Sequence, residues 1–138
     1  MAITGMQGHQ INEHKARYAI AAEALTLPDQ SVALGVVYDA TAYGSVRLPD
    51  ADGEIPAGVV YGKSYASGDE ITMATGELVW MVAAEAITIG QMLMLDNATG
   101  YCLVATSAKP LIGRALTAQS NVGGFLLVEL LIGSYLPA

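Results

Sequence analysis

At 138 residues the chain is long enough for one domain with a real core and too short for two domains flanking a cleft. Its 6 Lys+Arg against 13 Asp+Glu leave a net charge of -7, which argues against a surface built to neutralise a phosphate backbone. Only 14% of the residues are charged and 53% are hydrophobic, where soluble domains carry roughly 25% charged, so much of the surface is expected to be covered by protein, in a homo-oligomer or on a larger assembly.

Residues 1–17 form a polar N-terminal arm without β alternation, containing Gln7, His9, Gln10, Asn12, Glu13, His14, Lys15 and Arg17; residues 18–138 read as a single β-barrel domain. No charged start and apolar core of a signal peptide stands at the N-terminus, so no export segment is expected. Tyr18 to Leu25 is alanine-rich and fits two structures: a short helix by propensity, or a first strand with Tyr18, Ile20 and Ala22 on one face.

From there fifteen glycines and five prolines punctuate short runs rich in Val, Ile, Leu, Thr and Tyr. Strands are predicted near Ser31 to Tyr38, Gly44 to Leu48, Ala57 to Tyr61, Glu70 to Met73, Glu77 to Val82, Gln91 to Leu95, Tyr101 to Val104, Leu111 to Leu116 and Gly124 to Ile132. About nine short strands without intervening helical patterns make the fold all-β, a small β-barrel or sandwich carrying the polar arm. Two segments read as hairpins whose turns end in glycine, Ile71 to Trp80 through Gly76 and Met92 to Val104 through Gly100. Both turns contain Ala-Thr-Gly, which suggests a duplicated hairpin. The longest apolar stretch, Phe125 to Ile132, contains Glu129 and falls far below the roughly 20 residues needed to cross a bilayer as a helix, so no membrane segment is expected.

Catalytic and metal-binding patterns are thin. His9 and His14 both lie in the arm, and no HExxH, CxxC or nucleotide-binding glycine motif occurs. Cys102, the single cysteine, sits in the apolar run Tyr101 to Val104, where a thiol acts as a small hydrophobe; alone it closes no intrachain disulfide, and a reducing compartment fits. Asp50, Asp52 and Glu54 have the i, i+2, i+4 spacing of part of a calcium loop but lack its further ligands, so a solvated turn is favoured. Trp80 and seven tyrosines are spread over separate strands, which favours packing over a sugar-stacking face. The expectation is a non-enzyme with no catalytic residue, cofactor or metal.

The segments Ile55-Pro-Ala-Gly58-Val-Val, Ala66-Ser-Gly68-Asp-Glu-Ile71-Thr-Met-Ala-Thr-Gly76-Glu, Ala84-Glu-Ala-Ile87-Thr-Ile-Gly90-Gln-Met-Leu, Asn97-Ala-Thr-Gly100-Tyr and Pro110-Leu-Ile-Gly113-Arg-Ala-Leu116 alternate a glycine-led turn with a short strand. In this they resemble the capsid cement, or head-decoration, proteins of tailed bacteriophages, over roughly Leu25 to Ile132. The resemblance implies a structural protein made in the host cytoplasm and carried on the capsid exterior of the virion. Its implied partners are the major capsid protein shell and further copies of itself, usually as a trimer. On that reading the arm docks on a neighbouring shell or cement subunit through Ile11 and the donors of His9, His14, Lys15 and Arg17. The alternative is a small β-barrel carbohydrate-binding module using exposed tyrosines and the Asp50 to Glu54 loop.

Overall fold

In the computed structural model, residues 16–106 and 108–135 are described; they form ten strands and no helix. The strands are β1 (Ala16–Ala21), β2 (Leu34–Tyr38), β3 (Ser45–Arg47), β4 (Gly58–Val60), β5 (Glu70–Ala74), β6 (Leu78–Val82), β7 (Met92–Leu95), β8 (Cys102–Val104), β9 (Gly113–Ala115) and β10 (Phe125–Leu130). All nine predicted strands are present. The undecided segment resolves as a strand that begins at Ala16, so the last two residues of the expected arm, Ala16 and Arg17, belong to β1.

The first five strands close into a barrel in the order β1-β3-β2-β4-β5. Every pairing is antiparallel except β1 with β3, which is parallel and short: only Ile20↔Ser45 and Ala21↔Val46 are in register. The second five make an antiparallel sheet in the order β6-β10-β9-β7-β8, and a parallel bridge between Ala83 and Cys102 draws its two outer strands together.

Interior packing explains which strands alternate and which do not. In β1 the inward residues are Ala19 and Ala21 and the outward ones Tyr18 and Ile20, the period of two expected of a strand with one wet face. All of β4 and the first four residues of β2 are buried because these strands are covered on both sides. Leu34, Val36 and Val60 face the barrel interior with Val46, Ile71 and Met73. Ala33, Val37, Val59 and Ala74 join Met81, Leu93, Leu95 and Leu126 of the second sheet in the other core. The wall β2–β4 therefore serves both halves.

One expected hairpin is real. β7 and β8 pair antiparallel from Leu93↔Val104 to Leu95↔Cys102, and Gly100 has the positive φ of +72° that the turn needs. The other is not a hairpin: β5 pairs with β1 and β4, whereas β6 pairs with β10, so Thr75–Glu77 carries the chain from one sheet to the other. Gly76 does not take a left-handed conformation. The duplicated-hairpin reading fails for that reason, since a bend between sheets and a hairpin turn look alike when both sit between alternating apolar runs.

Candidate docking surfaces

Chemistry-bearing side chains are dispersed or already satisfied. Among the described residues no group of three or more His, Cys, Asp or Glu is close enough to hold a metal ion. Cys102 is fully buried with Sγ 3.7 Å from Met81 Sδ, and burial pushes its thiol up to about 12, far from the range in which a thiolate nucleophile forms.

The acidic turn after β3 closes on itself as expected of a solvated turn. Arg47 donates to Glu54 at 3.3 and 3.2 Å and meets Asp50 at 3.3 Å, while the Asp50 and Ala51 amides also donate to the Glu54 carboxylate. Burial alone would raise the Glu54 carboxyl, but the guanidinium and amide donors outweigh it and hold it below its ordinary value.

What the fold does assemble is exposed apolar and aromatic surface, in two places. The first is built by β1 and the β2–β3 connection. Tyr18 stands on the outer face of β1, 82% exposed, Tyr38 ends β2, and Tyr43 projects fully from the intervening loop. That loop is shaped locally: the Asp39 carboxylate accepts from Thr41 N at 3.0 Å and Thr41 Oγ1 at 2.9 Å, which holds the carboxyl below its usual range, and Gly44 takes φ +78° before Ser45 opens β3. The three tyrosines, Asp39 and Gly44 line a groove of about 390 Å³. It adjoins a second groove of about 490 Å³, where Tyr18, Ile20, Glu70 and Thr72 are the outward residues of β1 and β5.

The second surface is the outer face of the β6–β10 pair. Trp80 lies directly opposite Leu127 and Val82 opposite Phe125, and Leu78, Trp80 and Phe125 remain exposed. Beside them Leu78 faces Glu129, which is tied to Arg114 by an ion pair of 2.6 Å. Tyr61 adds a ring where Gln30–Ala33 run along the outer edge of β6, Ala33 N donating to Trp80 O at 2.7 Å.

Of the residues singled out from the sequence, His9, Ile11, His14 and Lys15 lie outside the described residues. Arg17 is described only as backbone, in β1 opposite Met73. The tyrosine cluster was not visible as a unit, because Tyr18, Tyr38 and Tyr43 come together only when β1 is seated beside β3. One signal was present: Tyr18 and Ile20 at i, i+2, with alanine at the flanking positions 19 and 21, mark an outward apolar stripe.

A model of the phage cement protein family matches residues 7–130, so the recognisable pattern reaches into the polar N-terminal segment and not only from Leu25 onward. Among solved structures, the N base of the head fiber gp8.5 of bacteriophage phi29 superposes with a TM-score of 0.59 at 17% identity, covering 89% of this chain and 98% of that one; at this identity the likeness speaks to fold. No curated protein sequence matches.

Proposed function

The chain belongs to the phage cement protein family, and from that premise we propose that this structural phage protein binds the outer surface of a capsid and ties neighbouring shell subunits together, without catalysing a reaction. The observation that carries this reading is the pair of exposed apolar surfaces, one on each sheet, in a chain with so few charges. A subunit with two such faces can touch two neighbours at once. Bridging then acts mechanically: shell subunits must break these additional contacts before they part, and contacts that are weak singly hold together when several form at once. Assembly as a homo-oligomer, a trimer in the simplest arrangement, multiplies the number of such contacts. The expected arm, residues 1–17, docks in this proposal through His9, Ile11, His14, Lys15 and Arg17, its last two residues also opening β1.

The test adds purified protein to capsids lacking it and measures bound copies per particle and the temperature at which the particle opens. Saturable binding with a raised opening temperature is expected. Particles that bind no protein, or bind it without any gain in resistance, would overturn the proposal. One observation favours the carbohydrate-binding alternative, the gathering of Tyr18, Tyr38 and Tyr43 around one groove. A glycan array with Tyr43→Ala as control decides it: saturable binding lost in the variant supports the module, and an empty array removes it.

A further inference from the structure

The barrel seam is closed at one end only. β1 pairs with β5 over five residues, Ala16 to Ile20, but with β3 only at Ile20 and Ala21. The direction of each backbone group follows from the bonds at the closed end. Ala21 N donates to Asp69 O on the β5 side, and Ile20 N donates to Gly44 O and Ala22 N to Val46 O on the β3 side. Because successive groups alternate along a strand, Ala19 and Arg17 point their N–H and C=O at β5, while those of Tyr18 point toward the β3 side. β3 begins at Ser45, level with Ile20, so among the described residues no strand lies opposite Tyr18. This leaves a short open edge, floored by the grooves of the tyrosine cluster and flanked by Asp39 and Glu70.

We propose that this slot takes an extended strand from residues 1–15 of a second copy of the chain, which adds to β1 beside Tyr18 and lays its side chains among Tyr18, Tyr38 and Tyr43. Strand addition uses the unpaired main-chain groups for affinity and the flanking pockets for choice. The segment has the right reach: fifteen extended residues span at most about 50 Å, enough to cross from one small barrel to the next. It has complementary chemistry, since Lys15 and the two histidines can meet Asp39 and Glu70, and Ile11 supplies an apolar side chain for the tyrosine rings. The family match reaching back to residue 7 places part of the segment within the shared pattern. Directly before β1, Glu13–Lys15 include no glycine or asparagine, the residues that a tight hairpin back onto Tyr18 would favour, so the occupant proposed is a second copy. An arm passed from each copy to the next is a heterologous contact, the kind that closes into a ring such as a trimer. The inference thus rests on the homo-oligomer part of the reading above and gives it a site.

The experiment uses the full chain with Ile11→Cys and Tyr43→Cys together, oxidised in dilute solution without capsids, alongside each single variant and the native mass of the unmodified protein. Tyr43 is fully exposed, so its replacement leaves packing untouched, and the buried Cys102 does not compete. The expected result is a shift from single chains to disulfide-linked multiples in the double variant only, together with loss of the oligomer when residues 2–15 are deleted. A linkage confined within one chain overturns the proposal in favour of the chain's own segment. An unlinked but oligomeric protein overturns the slot and leaves self-association standing through another face. An unlinked monomer overturns both, whereas capsid binding, measured separately, reports on the cement reading alone.

Discussion

The two halves of the molecule reach a closed core by different routes. The first closes as a barrel through a parallel ladder between β1 and β3 and leaves part of its seam open, whereas the second pairs antiparallel in all its ladders and brings β6 to β8 by one isolated parallel bridge. The same Ala-Thr-Gly triplet marks the contrast: at Gly76 it bends the chain out of the first sheet, and at Gly100 it completes a hairpin in the second. The difference teaches that a turn's role is set by what its glycine touches. A Cβ on Gly100 would stand 2.3 Å from Gly35 O, in addition to its left-handed φ, while nothing lies within 4 Å of a Cβ on Gly76.

Breaking that contrast should produce the largest effect. Gly100→Ala is expected to cost about 2–5 kcal/mol, since it combines a strained backbone with a side chain driven into the carbonyl of the shared wall. Gly76→Ala should stay within about 0.5 kcal/mol of the parent. Urea unfolding of the two variants checks both, and equal losses would mean that the two turns do the same structural job.

Much of the fold could be read without coordinates. Nine strands were legible because glycine and proline bound apolar runs of the right length, and β4 with most of β2 read as continuous hydrophobic runs because both their faces are buried. β1 was ambiguous for a physical reason: Ala19, Ala21 and Ala22 satisfy helical propensity as well as the small inward positions of a barrel, and only pairing with β5 decides. The crossing at Gly76 was missed because pairing partners are a long-range property. The exposed apolar surfaces were legible only in part: the low charge pointed to them, but Tyr18 and Tyr43 are 25 residues apart and meet by topology alone.

Whether the halves unfold together is the next question, and Val59 addresses it because it sits on β4 yet packs in the core of the second sheet. Val59→Thr keeps the shape and buries a hydroxyl, which should cost about 1–3 kcal/mol. If the wall is truly shared, circular dichroism and Trp80 fluorescence will report one transition, moved to the same lower midpoint. Two separated transitions would show that the sheets are independent.

Cys102 ties the β8 side of the second core to Met81, and its thiol gives that half a dependence on alkali. Its value is raised from an ordinary 9.0 to about 12 by burial, so the folded state holds the proton that the unfolded chain releases. Its contribution is complete below about pH 9 and is lost as pH rises from there toward 12, a loss on the order of 1 kcal/mol by pH 10. Cys102→Ala should remove this slope, so that the two unfolding free energies converge between pH 8 and pH 10. Parallel curves, or labelling of the native thiol by a maleimide at neutral pH, would contradict the burial argument.

The smallest expected effect separates two ion pairs, one in each half. Arg47 and Glu54 are 20% and 26% exposed, and the carboxylate also accepts amide bonds from Asp50 and Ala51; Arg114 and Glu129 are 45% and 37% exposed and bond only to each other among the described side chains. Exposed pairs are worth about 0–1 kcal/mol, because water screens the charges and two long side chains lose freedom in meeting. Glu129→Gln should therefore change stability by no more than a few tenths of a kcal/mol. Glu54→Gln should cost about 1 kcal/mol, because its amide accepts poorly from several donors at once and leaves Arg47 facing Asp50 alone. The Glu54 carboxyl is depressed, so its contribution is present above the ordinary glutamate value and is lost as pH falls through the depressed one. Unfolding measured at pH 7 and again near pH 3 should find the cost of Glu54→Gln larger at neutral pH than in acid. The opposite ranking would mean that the acidic turn after β3 is held by its backbone, not by the Arg47–Glu54 contact.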